Sequence, residues 1–127
     1  MTIKYETIKS IKPKKSFWSI SDFKPEESNR IIKNLAEKIE QYGQIREMET
    51  KYNKKTLNNG EEKILRAEMK SKDGIIGGII YHNPSRVGLF SGGMDHNGSI
   101  KAEFNFNSND PLNKQEYTGL VKIIKAI

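Results

Sequence analysis

The sequence predicts an α+β fold. It reads as an antiparallel β-meander of about five to six strands, with two helices, about 25–42 and 111–126, packed on one face. Three observations carry that reading. Apolar residues recur every three or four positions in two segments, as on one side of a helix. The region between them alternates apolar and polar residues, as a half-buried strand does. Asn59-Gly60 and Asp73-Gly74 punctuate that region with hairpin signals, and short hairpins force antiparallel pairing. No internal repeat, low-complexity run or long linker divides the 127 residues, so 1–127 is read as a single domain.

The elements follow in order. Thr2 to Lys12 is expected as a strand, with Ile3 and Tyr5 on one face. Ile8 and Ile11 break the period of two, which calls for a bulge or an early end. Pro13 interrupts it, and Ser16 to Ile20 reads as a short strand or tucked loop. The first helix has Pro25 at its first position and Glu26 and Glu27 near the positive end of its dipole. Ile31, Ile32, Leu35, Ile39 and Tyr42 form its stripe, and Gly43 suits its end. Ile45 to Thr56 alternates weakly, and Asn59-Gly60 suits a type I′ turn.

Leu65, Ala67 and Met69 then alternate with Arg66, Glu68 and Lys70. Ile75 to His82 is apolar on both sides, which suits a central strand, and Gly77-Gly78 marks a close approach of another backbone. Val87 to Ser91 is expected to be extended, and Ile100, Ala102, Phe104 and Phe106 alternate cleanly. Asp110 caps the second helix, Pro111 opens it, and Tyr117, Leu120, Val121, Ile124 and Ile127 form its stripe.

Composition excludes several functions. The absence of cysteine rules out disulfides and thiolate metal sites and fits a reducing compartment. Two histidines make a His-rich zinc site a poor expectation, so no metal and no cofactor are expected. The N-terminus is charged, without a signal-peptide core, and the longest apolar stretch, Gly74 to Tyr81, is too short to span a bilayer. The expectation is a soluble cytoplasmic protein that does not engage membranes.

The net charge is +6, and it is uneven. Residues 1–24 carry six lysines against Glu6 and Asp22, a surplus of +4. Such a patch attracts phosphate backbones or other polyanions. Lys9, Lys12, Lys14 and Lys15 lie close to Phe17 and Trp18, so charge for phosphates adjoins rings for unpaired bases. A sheet face carrying Arg46, Lys51, Tyr52, Arg66 and Lys70 would extend the surface. The leading expectation is therefore a non-catalytic binder of nucleic acid, single-stranded by preference, or of another polyanion. The order of a strand meander followed by a terminal helix resembles one class of single-stranded-DNA-binding folds, in element order alone.

Two alternatives belong to other classes. A metal-independent ribonuclease needs a general base, a general acid and a cation, which His82, His96 and Arg86 would supply. A phage or mobile-element inhibitor or immunity-type protein would act through a protein partner or a small anionic ligand, with the Gly92–Gly98 loop as one contact. A second copy pairing along an edge strand is a further option. Gly77-Gly78 lacks the glycine pattern and lysine of a phosphate loop, and Ser91 lacks the left-hand glycine of a nucleophile elbow.

Overall fold

The computed structural model describes residues 5–14, 21–42, 47–72, 74–84, 97–106 and 111–127, with 111–113 traced as backbone only. Five strands form one antiparallel sheet: β1 (Glu6–Ile11), β2 (Glu49–Thr56), β3 (Glu62–Lys70), β4 (Ile75–His82) and β5 (Ser99–Phe106). Two helices, α1 (Pro25–Glu40) and α2 (Pro111–Ala126), accompany it. The spatial order is β1-β5-β4-β3-β2. Strands β2 to β5 are thus a meander, while β1 closes the far edge beside β5 instead of adjoining β2. Helix α1 carries the chain across from one edge to the other. The strands expected within 16–20 and 87–91, and the caps at Gly43 and Asp110, fall outside the described residues.

Side-chain parity explains why this sheet has two different faces. Ile75, Ile79 and Tyr81 of β4 pair across with Phe106, Ala102 and Ile100 of β5, and Ala67 and Met69 of β3 join them. This face is buried under α1, which lies over β3 and β4, and α2, which lies over β1 and β5. In α1, Ser28, Ile32, Leu35, Ala36 and Ile39 are buried, the spacing of one helical stripe. Tyr117, Leu120 and Ile124 do the same for α2. Asn29 locks α1 to β3: its side chain donates to Glu62 O at 2.8 Å and accepts from Ile64 N at 2.8 Å.

Two bulges adjust the pairing. Between Thr7 and Lys9 the register against β5 slips by one, so Ile8 is the extra residue and stays buried. In β3 the extra residue is Leu65, since Asn53 faces Arg66 and Lys54 faces Ile64. Ile64, rather than Leu65, therefore joins Ala67 and Met69 in the core. The β2–β3 turn also differs from the type I′ expectation. Gly60 is left-handed (φ 87°), but Asn59 keeps a negative φ, which type I′ forbids. Leu57 N donates to Glu61 O and Gly60 N to Leu57 O, which makes a three-residue loop. The Asn59 carboxamide accepts from Glu61 N at 3.0 Å, a local bond that replaces the positive φ.

Candidate binding face on the open side of the sheet

The face away from the helices is a grid that the register builds directly. Across β2, β3, β4 and β5 one row reads Glu49, Lys70, Ile76, Asn105. The next reads Lys51, Glu68, Gly78, Glu103, and the third Asn53, Arg66, Ile80, Lys101. Thr7 and Ser10 of β1 extend the last two rows. Charges of opposite sign thus sit opposite one another on β2 and β3, with apolar residues along β4.

A concavity of about 730 Å³ lies on this face, lined by Tyr5, Lys51, Arg66, Lys70, Ile76 and Ile80 together with Glu49 and Glu68. Tyr5 is 44% exposed, the one large hydrophobic side chain so exposed among the described residues. The floor of the sheet is bare for a steric reason. A Cβ on Gly78 would run into Ala67 O of β3, and one on Gly77 would meet Glu103 O and the Phe104 ring of β5. The paired glycines therefore answer to a close approach of both neighbouring strands.

Local electrostatics are mild. Arg66 lies 3.7 Å from Glu68, whose Oε1 also accepts from Asn53 Nδ2 at 3.1 Å. Both partners of that ion pair are about half exposed, so the pair is solvated. Lys51 and Lys70 have no ion pair among the described residues. At the end of β4, His82 Nε2 is shielded from solvent and sits 3.8 Å from Glu103 Oε1, itself 3.4 Å from Thr7 Oγ1.

Comparison with protein-family models, with curated proteins and with solved structures finds no match. The face is therefore read from its own chemistry.

Of the residues singled out in the sequence, Lys51, Arg66 and Lys70 share this concavity. Tyr52, expected on the same face, projects from the other one: it pairs with the buried Ala67, and burial followed by the charges of Glu40 and Glu37 raises its phenol pKa. Lys9 also lies on the helix side, because the Ile8 bulge reverses parity there, and its ammonium donates to Ile127 O. Lys12 and Lys14 are exposed just beyond β1. Lys15, Phe17, Trp18, Arg46, Arg86 and His96 lie outside the described residues, as does most of the Gly92–Gly98 loop. Tyr5, Ile76 and Ile80, which line the same concavity, are not singled out by the sequence. Alternation alone assigns them a face, but only strand order shows which face the helices leave open.

Among the described residues no cluster of three or more His, Asp or Glu side chains is gathered as metal ligands would be. No helix among them is long and apolar enough to cross a membrane.

Proposed function

We propose that this protein binds single-stranded nucleic acid on the open face of its sheet, without chemistry on the strand. The observation that carries the reading is the concavity in which Tyr5, Ile76 and Ile80 adjoin Lys51, Arg66 and Lys70. Unpaired bases lose water against aromatic and apolar faces, and cations neutralise the phosphates between them. A duplex hides its base faces and would use only the charges. The interspersed glutamates lower the net positive charge of the surface, so affinity depends on the apolar contact more than on charge alone.

Fluorescence anisotropy with labelled single-stranded and double-stranded DNA and RNA tests this. If Lys51, Arg66 and Lys70 each neutralise one phosphate, the log–log salt slope for single strands is roughly −2. Tyr5→Ala weakens binding by about 1–3 kcal/mol. Affinity that ignores salt, or that survives Lys51→Ala with Lys70→Ala but falls when Lys114 and Lys122 of α2 are changed, places the contact elsewhere.

A second reading, RNA cleavage, has one observation in its favour. His82 and Glu103 sit side by side on the same face, with Lys101 on the adjacent row, so a base, an acid and a cation are near one another.

A further inference from the structure

We infer that the concavity on the open sheet face reads guanine in preference to the other bases, an inference that rests on the proposed binding of single strands there. The pairing of β2 with β3 sets Glu49 opposite Lys70 and Lys51 opposite Glu68. All four side chains are exposed and line the concavity, so two anions and two cations alternate around one small area. On a surface that only held phosphates the two carboxylates would be a hindrance, because each repels the backbone. Glu68 is partly occupied by Asn53 and Arg66, whereas Glu49 has no hydrogen bond or ion pair among the described residues.

An ionised carboxylate only accepts, so a base that satisfies it must present N–H groups. Guanine presents two side by side, N1–H and the 2-amino group, and carries two acceptors, O6 and N7, along the adjoining edge. Adenine, cytosine and uracil each set a lone pair beside the donor of their pairing edge, and a carboxylate approaching that edge meets it. Glu49, with Lys70 opposite it and Lys51 two residues along β2, sets the two oxygens of one carboxylate beside a cation, which matches the paired donors of guanine beside O6, and Tyr5, Ile76 and Ile80 cover the ring faces. Glu49 is thereby assigned to the N1–H and 2-amino groups together and, where the base is guanine, Lys70 to O6 in place of a phosphate.

The experiment compares eight-nucleotide oligopyrimidines, in ribo and deoxy form, with the same oligomers carrying guanine, inosine or adenine at two central positions. Anisotropy at fixed low salt is the readout. Guanine should tighten binding about tenfold over adenine. Inosine, which keeps N1–H, O6 and N7 but lacks the 2-amino group, should fall between them. Glu49→Gln should shrink the guanine-to-adenine ratio while tightening the oligopyrimidine, since a repelling charge is gone, whereas Glu68→Gln should tighten all the oligomers alike. Binding with equal affinity for all four oligomers overturns the inference and leaves the single-strand reading standing. A guanine preference that Glu49→Gln retains overturns the assignment to this carboxylate. Absence of binding to every oligomer overturns the single-strand reading and the inference with it.

Discussion

Tyr117 ties the second helix to the sheet through one hydroxyl. Its O–H lies 3.0 Å from Glu6 Oε2 and 3.1 Å from Phe104 O, and its ring sits 4.9 Å from that of Phe106. Burial first, and then the hydrogen bond and charge of Glu6, push its pKa up to about 12. The folded protein therefore holds this proton at pH values where the unfolded chain releases it, near 10. Stability linked to Tyr117 is complete below pH 10 and is lost as pH rises toward 12, because the native state binds more protons there. Urea titrations at pH 9 and pH 11 should show that loss, and Tyr117→Phe should lessen the difference between them.

At the other end of β4, Tyr81 donates to Asp22 Oδ1, which also accepts from Phe23 N at 2.8 Å. Burial and this bond raise the Tyr81 pKa as well. Tyr81→Phe leaves a carboxylate oxygen with one donor fewer, and should cost about 1–3 kcal/mol in denaturant unfolding. Gly78→Ala should be more severe, at about 3 kcal/mol or more, since the new methyl would have to displace the backbone of β3. A melting temperature unchanged by Gly78→Ala would contradict the close approach of the two strands.

At the scale of elements, burial separates residues that composition treats alike. Ile32 and Ile39 of α1 are fully buried, while Lys33 and Lys38 on the same helix are exposed. Ile32→Ala should cost about 2–5 kcal/mol and Lys33→Ala no more than about 0.5, both read by chemical denaturation. Both helices were legible because 3.6-residue periodicity survives any packing partner. The Ile8 bulge was legible because its apolar spacing visibly breaks the period of two. The Leu65 bulge was not: Leu65, Ala67 and Met69 make a clean alternation, and only the pairing of Asn53 with Arg66 and of Lys54 with Ile64 shows where β3 gains its extra residue. The Asn59-Gly60 turn was legible in place but not in type, since a carboxamide bond to Glu61 N replaces the positive φ that sequence statistics favour.

The whole molecule is asymmetric, with one face of the sheet covered by helices and the other open. Raising salt should weaken single-strand binding along the slope of roughly −2, and Lys51→Ala with Lys70→Ala should bring it to about −0.7. Labelled RNA held with the protein in EDTA should remain intact. Cleavage that Glu103→Gln and His82→Ala both abolish would move the function from binding to chemistry. Half of the candidate surface was visible beforehand. Lys51, Arg66 and Lys70 stood on one side of two alternating strands, and pairing brought them together. Lys9 and Tyr52 looked equivalent to them, and parity sent both to the helix side.

By itself the sequence determined the class of fold, both helices, the hairpin-connected strands and the residues competent to fill a core. Those follow from local periodicity, turn chemistry and the cost of leaving apolar side chains in water, all of which act within a few residues. Only the tertiary structure decided that β1 crosses to pair with β5, which side of the sheet the helices cover, and that Tyr5, Ile76 and Ile80 line an open concavity. Each of these joins residues far apart in the chain: Glu6 meets Phe104, and Tyr5 lines the same concavity as Lys51. Alternation says that two side chains share a face; which face stays open depends on where the helices come to rest.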